Sequence, residues 1–329
     1  MGKREVTLGV DIGGTNTVMG FVDRLGEVVA EKSMLTNAHE PAEIFFKKFL
    51  ENADSLLNSI SAQHEFLGIG IGAPNANYYR GTVEYPPNLQ WKGVTKVVEI
   101  VNAHMNVPVF ITNDANAAAM GEVVFGAARG MKHVIVITLG TGLGSGIIVD
   151  GKLLYGADGF AGEIGHTIVD PDGRLCGCGN KGCLEGYASS TGICRTVQEY
   201  LSTQSTPSEL RKIKSEQLTS KIIYESAMRG DSLALEAFTY TGTILGMKLA
   251  DSVAHLSPEA IILFGGLAKA GDLIFKPTKR SMEEHLFVTF KNKVKLLPSG
   301  LPEGNSAVLG ASALVWDELA KQKSEKIPA

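Results

Sequence analysis

The sequence has little of what marks several common classes of protein. Four cysteines among 329 residues are too few for the disulfide framework of a secreted domain. No run approaches the roughly 20 apolar residues that a membrane-spanning helix needs, and no apolar signal segment stands at the N-terminus. The net charge of −4 comes without a cluster of basic residues, so neither nucleic acid nor an anionic membrane surface is an expected partner. We therefore expect a cytoplasmic protein.

What the sequence does contain indicates a globular protein with two halves. Hydrophobic residues make up 44% of it and charged residues 20%, and its length favours two domains. Each half repeats one plan: a strand, a glycine-threonine turn, hairpin strands, then alternating helices and strands. The predicted helices of the second half include one at about 232–256. This alternation predicts an α/β fold with a mostly parallel, helix-covered sheet in each half. Ligands would then bind at the carboxyl ends of the strands, in the cleft between the halves.

The most specific pattern lies in residues 163–185, which hold three of the four cysteines. The candidate metal ligands in this segment are His166, Cys176, Cys178 and Cys183. Three thiolates and one imidazole form a complete tetrahedral donor set for Zn²⁺, and closed sites with four ligands are structural. The alternative is four unrelated residues in a glycine-rich loop. Cysteines at this spacing in a reducing compartment favour the zinc site.

Two carboxylates, Glu163 and Glu185, flank the candidate ligands. Three thiolates already offset the charge of Zn²⁺, so the metal needs no acid beside it and does not explain the carboxylates. Both would be held rigidly near the metal loop and would point at something else. They are therefore candidates for binding a substrate.

Two glycine-rich turns follow apolar strands at equivalent places in the two halves. The first contains Asp11, Gly13, Gly14, Thr15 and Asn16, and the second contains Gly140, Thr141 and Gly142. Glycine lets backbone amides approach an anion closely, and threonine adds a hydroxyl donor. Neither turn is a Walker loop or matches the dinucleotide fingerprint.

One glycine turn alone is as often structural as functional. Two of them, one with an Asp able to hold Mg²⁺ through water, indicate a nucleotide phosphate that is held from both sides. A third turn, Gly265-Gly266, follows another apolar strand and could lie against a base or a ribose.

The pair Asn113-Asp114 comes between a predicted strand over residues 107–112 and a predicted helix over residues 115–128. An Asp at the start of a helix is most often an N-cap. The functional interpretation is that the strand presents Asp114 as a general base, which the helix dipole keeps ionised. Phosphoryl transfer needs such a carboxylate to orient and deprotonate the attacking hydroxyl. Asn113 beside it could bond a neighbouring hydroxyl, and capping and catalysis are compatible.

Together these motifs resemble the ROK family of repressors, open reading frames and kinases. The resemblance rests on Asp11-Ile-Gly-Gly-Thr15, Asn113-Asp-Ala-Asn-Ala117, Glu163-Ile-Gly-His166 and the segment from Cys176 to Glu185. It covers essentially the whole chain, and it implies the actin-like ATPase fold, which is ribonuclease H-like, with two α/β domains around a cleft. We expect a small domain over residues 1–114, joined by a C-terminal helix at about 305–321, after which the polar tail over residues 321–329 would be frayed. A large domain would span residues 115–304 and carry the zinc-binding loop 163–185.

The resemblance also implies roles for the site residues. Asp114 would be the catalytic base, and the three glycine turns would hold MgATP. The sugar hydroxyls would be bound by Asn113, Asp114, Glu163, His166 and Glu185, with His166 also a zinc ligand. Asn88 is a further sugar-binding candidate, in a loop whose Trp91 could either cover the sugar or belong to the core. The family often has Lys after the first turn where this chain has Asn16, so Mg²⁺ and backbone amides would carry more of the phosphate charge.

Three functions remain to be compared: an ATP-dependent hexose kinase, a sugar-responsive repressor, and a sugar sensor without catalysis. Repressors of the family carry a helix-turn-helix before the first turn, and only ten residues precede Asp11. A sensor would be expected to lose the base, which is present. We therefore expect a kinase that resembles the bacterial glucokinases and phosphorylates the 6-hydroxyl of glucose. N-acetylmannosamine and other hexoses or N-acetylhexosamines are the alternative substrates. We expect a homodimer or a higher homo-oligomer, since a dimer is a common form in the family.

Overall fold

The computed structural model describes residues 2–86, 88–302 and 304–325 of the chain, and in these ranges it contains thirteen strands and eight α-helices. The strands are β1 (Arg4–Ile12), β2 (Asn16–Asp23), β3 (Val28–Leu35), β4 (His64–Gly72), β5 (Ala76–Asn77), β6 (Thr82–Glu84), β7 (Val94–Thr95), β8 (Val109–Thr112), β9 (Val134–Leu139), β10 (Leu143–Val149), β11 (Lys152–Leu153), β12 (Ala260–Phe264) and β13 (Lys295–Pro298). The helices are α1 (Ala42–Ile60), α2 (Val97–Asn102), α3 (Asp114–Val124), α4 (Ser190–Thr203), α5 (Ser220–Met228), α6 (Ser232–Leu256), α7 (Asp272–His285) and α8 (Ser306–Glu325).

The contacts of the chain divide it into two compact units. Unit 1 comprises Met1–Met131, Gly146–Ala161 and Gly300–Ala329, and unit 2 comprises Lys132–Ser145 and Gly162–Ser299. The predicted boundary after residue 114 lies inside unit 1, because helix α3 packs against α8. Helix α8 itself extends to Glu325, past the predicted end at 321, and residues 326–329 of the predicted frayed tail lie outside the described ranges.

Unit 1 is built on a five-stranded sheet of order β3-β2-β1-β4-β8. Strands β1, β2 and β3 form an antiparallel meander, and β4 and β8 join β1 in parallel. Residues at the carboxyl ends of the parallel strands are in register, since Asp11 pairs with Gly72 and Gly72 pairs with Thr112. This edge is therefore where polar residues that follow β1 and β8 come close together.

Helix α8 lies unusually close to this sheet because two strand residues have no side chain. A Cβ added to Gly9 would overlap the carbonyl oxygen of Val308, and one added to Gly70 would overlap that of Ala311. Both glycines lie between apolar strand residues that are fully buried: Leu8 and Val10 in β1, and Ile69 and Ile71 in β4. The close approach of helix backbone to strand backbone thus depends on glycine at these two positions.

A cluster of aromatic residues on α1 forms part of the same core. Phe45, Phe46 and Phe49 are at most 1% exposed. The ring of Trp91 lies 5.1 Å from that of Phe45 and 5.3 Å from that of Phe46, at tilted angles typical of packed aromatic pairs. Of the two alternatives for Trp91, the structure therefore supports the core aromatic.

The second five-stranded sheet has the order β11-β10-β9-β12-β13, and β9, β12 and β13 lie within unit 2. These three strands are parallel, with Ile137 opposite Leu263 and Leu263 opposite Pro298. Strand β12 is an uninterrupted apolar run from Ala260 to Phe264, as expected of a strand that is covered on both faces. The residues after β9 and β12 therefore share one edge of this sheet.

Helix α6 of unit 2 occupies the predicted range, residues 232–256. It begins after Asp231, whose carboxylate accepts hydrogen bonds from the backbone N–H groups of Leu233 and Ala234. It ends at Ser257, which adopts a left-handed conformation with φ of 45°, and Pro258 then prevents continuation. Among the described residues, no helix of either unit is long and apolar enough to cross a membrane.

Candidate functional site

The first glycine turn follows β1 in unit 1 and is closed by backbone hydrogen bonds. The N–H of Gly13 donates to the carbonyl of Asn16 at 3.0 Å, and the N–H of Thr36 donates to the carbonyl of Thr15 at 2.9 Å. A Cβ on Gly14 would come within 3.2 Å of the Cβ of Asn88. Asn88, a sugar-binding candidate, thus lies against the proposed phosphate turn.

The side chains of Asn113 and Asp114 divide their roles differently from the sequence prediction. Asn113 is the N-cap of α3, and its Oδ1 accepts a hydrogen bond from the N–H of Asn116 at 2.7 Å. Asp114 is the first helical residue, and its Oδ1 accepts from the N–H of Ala115 at 2.8 Å. The interpretation of Asp114 as the cap was therefore wrong. Its carboxylate is exposed to solvent at the positive end of the helix dipole.

The carboxyls of Asp11 and Asp114 act on one another across the edge of the first sheet. Gly72 stands in register beside Asp11, and a Cβ added to it would lie 3.9 Å from the Cα of Asp114. Burial raises the pKa of Asp11 to about 6, and the charge of Asp114 adds to the shift. Although Asp114 is open to solvent, the protein around it partly desolvates its carboxyl and raises its pKa above the ordinary value, an effect that the N–H of Ala115 opposes. Two carboxyls of this kind favour a cation beside them.

The four candidate zinc ligands lie together in unit 2. One ligand atom from each of His166, Cys176, Cys178 and Cys183 lies within 4.8 Å of all the others. The Sγ atoms of Cys178 and Cys183 are 3.6 Å apart, and Sγ of Cys176 is 3.7 Å from Nδ1 of His166. Tetrahedral zinc, with Zn–S of about 2.3 Å and Zn–N of about 2.0 Å, places its ligand atoms roughly 3.5 to 3.8 Å from one another. Both of these distances therefore fit a tetrahedral metal ion.

The imidazole of His166 presents its two nitrogens to different neighbours. Nδ1 lies toward Cys176, while Nε2 is 4.0 Å from Oε2 of Glu163. The backbone supports this arrangement, because the N–H of His166 donates to the carbonyl of Glu163 at 3.1 Å. If Nδ1 binds a metal, Nε2 stays available to a carboxylate or a ligand hydroxyl.

The carboxylate of Glu185 joins the metal loop to the second glycine turn. Its Oε2 accepts a hydrogen bond from the N–H of Leu143 at 3.0 Å, and its Oε1 lies 3.5 Å from Sγ of Cys176. A Cβ on Gly142 would overlap Oε2 of Glu185. The sequence prediction gave Glu185 only a sugar contact, and a bond to the backbone of another segment has no signal in the sequence.

The start of helix α4 holds the same turn from another direction. The N–H of Ser190 donates to the carbonyl of Gly140 at 2.9 Å, and the hydroxyl of Thr191 donates to the carbonyl of Thr141 at 2.8 Å. Ser189 caps the helix by accepting from the N–H of Gly192. These residues were missed as part of the site, although a run of three hydroxyl residues at the start of a helix is a capping signal.

The third glycine pair, Gly265-Gly266, lies beside the second turn. Strands β9 and β12 are parallel neighbours, with Phe264 opposite Thr138. Gly265 has a φ of 99°, and a Cβ on it would come 2.8 Å from the carbonyl oxygen of Leu139. Gly265 is therefore required by the backbone itself, whereas a Cβ on Gly266 would meet nothing within 4 Å.

The structure thus groups the predicted residues separately within each unit. Unit 1 brings together the first glycine turn, Asn88, Asn113 and Asp114. Unit 2 brings together the metal ligands, Glu163, Glu185 and the other two glycine turns. Cys194 is outside both groups: it is half-buried on α4, and its thiol donates to the carbonyl of Leu218 at 3.6 Å.

Comparison with known proteins identifies the family. The model of the ROK family matches residues 7–318. The chain belongs to the ROK family. It is 37% identical over 286 residues to a glucokinase of Halalkalibacterium halodurans, a match that covers 84% of this chain and 85% of that protein.

Two solved structures extend the comparison to three dimensions. A ROK family glucokinase from Streptomyces griseus, in complex with glucose and AMPPNP, superposes with a TM-score of 0.78 at 35% identity, over 95% of this chain and 99% of that one. A ROK family transcriptional regulator, a homologue of the E. coli MLC protein, gives a TM-score of 0.86 at 26% identity, over 96% of this chain and 78% of that one. The predicted family and the predicted α/β fold of the actin-like ATPases are thereby confirmed.

Proposed function

We propose that the protein is an ATP-dependent hexose kinase that phosphorylates the 6-hydroxyl of glucose. The observation that carries the proposal is the Asp11–Asp114 pair at the carboxyl edge of the first sheet, with the carboxylate of Asp114 exposed at the start of α3. Two relatives support it: the glucokinase of Halalkalibacterium halodurans, and the Streptomyces griseus enzyme that binds glucose and AMPPNP.

In the proposed reaction Asp114 accepts the proton of the attacking sugar hydroxyl as its oxygen bonds to the γ-phosphorus. The bond from that phosphorus to the bridging oxygen of ADP breaks, which gives the sugar phosphate and ADP. The N–H of Ala115 fixes the orientation of the Asp114 carboxylate, and the helix dipole favours its ionised form. A general base placed in this way is typically worth about 10²–10⁴-fold in rate.

The nucleotide would be bound by the three glycine turns, with Mg²⁺ near Asp11. A carboxylate oxygen is a ligand that Mg²⁺ accepts, directly or through water. A cation beside Asp11 would stabilise its ionised form and so lower its raised pKa. When bound, Mg²⁺ neutralises charge on the transferred phosphoryl group. The side chain of Asn16 is uncharged, so the backbone N–H groups of Gly13 and Gly14 would contribute more to stabilising the phosphate charge.

The sugar would be bound by Asn88, Asn113, Asp114, Glu163, His166 and Glu185. Carboxylates accept hydroxyl protons in charge-assisted bonds, which are stronger than neutral ones, and this suits an aldohexopyranose with several equatorial hydroxyls. We propose that His166 and Glu185 crowd position 2 of the ring and so exclude an N-acetyl group. A buried carboxylate left without a hydroxyl partner could cost a factor of 10⁴ or more in specificity.

We further propose a structural zinc ion held by His166, Cys176, Cys178 and Cys183. The Cys178–Cys183 and Cys176–His166 separations of 3.6 and 3.7 Å support this choice, since tetrahedral zinc places its ligand atoms at such distances. The ion would stiffen the loop from which Glu163 and Glu185 project. Metal analysis of the purified protein should give one zinc per chain, and the absence of stoichiometric zinc in active protein would exclude it.

The test of the kinase proposal is a phosphorylation assay with MgATP over glucose, N-acetylmannosamine, N-acetylglucosamine and fructose. We expect the highest kcat/KM for glucose, and phosphorus NMR of the product should show the ester at position 6. If another sugar exceeds glucose tenfold in kcat/KM, the substrate assignment is wrong and the kinase assignment stands. We also propose that the chain forms a homodimer or a higher homo-oligomer, which light scattering would test.

A second candidate is sugar-dependent regulation, which is favoured by the similarity to a ROK family transcriptional regulator. The match covers 78% of that regulator, so part of it has no counterpart in this chain. Turnover separates the two candidates. A chain that binds a hexose but shows no phosphorylation with MgATP would support the regulator and exclude the kinase.

A further inference from the structure

Arg174 lies inside the metal loop of unit 2, two residues before the first cysteine, and its side chain is only 10% exposed. A buried guanidinium is costly unless its donors are paired. Here all five N–H donors have acceptors within 3.2 Å. They are Oε1 and Oε2 of Glu199, the carbonyls of Gly186 and Gly192, and Oγ1 of Thr196.

The backbone of Arg174 and the planar face of its guanidinium also make specific contacts. Its N–H donates to the hydroxyl of Tyr187 at 3.0 Å, and its carbonyl accepts from the N–H of Gly182 at 2.7 Å. The guanidinium carbon lies 4.5 Å from the centre of the Tyr187 ring, within the range of a cation–π contact. Arg174 therefore fixes the metal loop against α4 and the turn before it.

The contacts of Arg174 converge on the segment that carries Glu185. Gly186, whose carbonyl accepts from Nη1 at 2.9 Å, is the next residue in the chain, and Tyr187 follows it. Glu185 in turn bonds the N–H of Leu143 after the second glycine turn. A displacement of the Gly186 peptide would move the Glu185 carboxylate away from that N–H.

We propose that Arg174 is a positioning residue for sugar binding that acts through Glu185, an inference that rests on the kinase function proposed above. The fork of the guanidinium sets the position of the Gly186 peptide, and hence the direction of the Glu185 carboxylate. Lysine cannot replace it, because an ammonium has three donors at one point and cannot bond to Glu199 and both carbonyls together. Zinc binding does not need Arg174, since no metal ligand bonds its side chain.

The test is a double-mutant cycle on the dissociation constant for glucose, measured by calorimetry with Arg174→Lys, Glu185→Gln and the double variant. Arg174→Lys should raise the dissociation constant on the order of tenfold, with zinc content unchanged. Because Arg174 acts through Glu185, the double variant should bind more tightly than the product of the two single factors predicts, by at least threefold. The proposal would be overturned if the increase in the dissociation constant of the double variant equals the product of the two single-variant increases. Loss of zinc in Arg174→Lys would also overturn it.

The matched control is Arg229→Lys, because Arg229 also bonds a glutamate, Glu209, through Nε and Nη2 at 2.9 and 2.6 Å. That pair is exposed and contacts neither the metal loop nor a glycine turn, so the dissociation constant should stay at the wild-type value. If Arg174→Lys behaves like this control, Arg174 has no positioning role. If Arg174→Lys does not fold, Glu199→Gln takes its place in the cycle, with an expected rise of about threefold.

The wild-type chain is measured first, so that the two proposals can fail separately. If it binds another hexose instead of glucose, the cycle is run on that hexose and only the substrate assignment is lost. If the wild-type chain turns over a hexose but the two single-variant effects multiply in the double variant, only the positioning role of Arg174 is overturned, and the proposed function stands. A wild-type chain that binds no hexose overturns the function and, with it, the positioning role.

Discussion

Replacing Asp114 with Asn removes the proposed base and keeps a side chain of the same shape at the start of α3. An amide cannot take the hydroxyl proton, so kcat should fall by about 10²–10⁴-fold, while the glucose dissociation constant changes little. Steady-state kinetics and calorimetry on the same preparation measure the two quantities.

The control for this variant is Asp272→Asn. Asp272 is likewise the exposed first residue of a helix, α7, but it pairs with Lys276. Its replacement removes the same charge from the same helical position and should leave kcat within a factor of two. Retention of more than a tenth of the wild-type kcat in Asp114→Asn would exclude Asp114 as the base.

Asp11 gives a prediction about pH. Burial raises the pKa of its carboxyl to about 6, above the value of about 4 in an unfolded chain. The folded state therefore favours the protonated form, and this stabilisation is complete below pH 4 and lost as the pH rises through about 6. In buffer without Mg²⁺, Asp11→Asn should thus raise Tm at pH 8 and change it little at pH 4. A lower Tm than wild type at pH 8 would contradict the assignment.

At the residue scale, the sequence predicted which residues belong to the candidate site better than it predicted which atoms they contact. His166 and the three cysteines follow from residue type and spacing, and their ligand atoms do lie together. The exchange of roles between Asn113 and Asp114 could not be predicted, because either side chain is a good N-cap and the choice depends on backbone angles. The bond from Glu185 to Leu143 joins segments 42 residues apart and depends on tertiary packing.

At the scale of elements, the metal loop should behave as one unit. Cys178→Ala removes an exposed ligand and no core packing, so the fold should survive while stoichiometric zinc is lost. Because Glu185 lies 3.5 Å from Sγ of Cys176, its position should relax with the loop, and glucose affinity should fall by on the order of tenfold. Metal analysis and calorimetry measure both effects.

Cys194→Ala is the matched control for the metal loop. Cys194 is half-buried, bonds only a backbone carbonyl and is no part of the ligand cluster, so zinc content and glucose affinity should both be kept. If Cys178→Ala retains one zinc per chain, or if Cys194→Ala loses it, the ligand set is wrong.

The second glycine turn can be tested with a single methyl group. A Cβ at position 142 would overlap the Glu185 carboxylate, so Gly142→Ala should displace that side chain and raise the KM for glucose at least tenfold. Gly177→Ala is the control, because a Cβ there meets nothing within 4 Å. Equal KM values for the two variants would show that glucose binding does not depend on the space that Gly142 leaves for the Glu185 side chain.

The elements themselves were largely predictable, and the exceptions have identifiable causes. Helix α6 matches its predicted range because a capping Asp and a proline mark its ends. Helix α3 ends at Val124 rather than at the predicted residue 128. The N–H of Ala127 donates to the side-chain carboxylate of Glu122 and not to a helical carbonyl, and this bond stabilises a turn. That carboxylate also accepts from the N–H of Gly300, a partner 178 residues away that no local pattern reveals.

At the scale of the whole molecule, the alternation of strands and helices was enough to predict the α/β class. The division into units was not, because residues 115–131, 146–161 and 300–304 join unit 1 through packing that the local sequence does not specify. Helix α8 provides much of that packing: it lies on β1 and β4 across Gly9 and Gly70 and also contacts α3. The contribution of a distant C-terminal segment therefore sets the extent of unit 1.

Ligand binding should be visible in the stability of the whole chain. A sugar present at 100 times its dissociation constant stabilises the folded protein by about 2.7 kcal/mol. With an unfolding entropy of about 2.1 cal/mol/K per residue, this should raise the Tm of a chain of 329 residues by roughly 4 °C. Equal millimolar concentrations of each sugar should then rank by affinity in scanning calorimetry, with glucose first. Asp114→Asn should show nearly the same glucose shift as wild type, because the asparagine oxygen can still accept a hydrogen bond from the sugar hydroxyl although it cannot take the proton. A larger shift with N-acetylglucosamine than with glucose would mean that His166 and Glu185 do not exclude the acetamide.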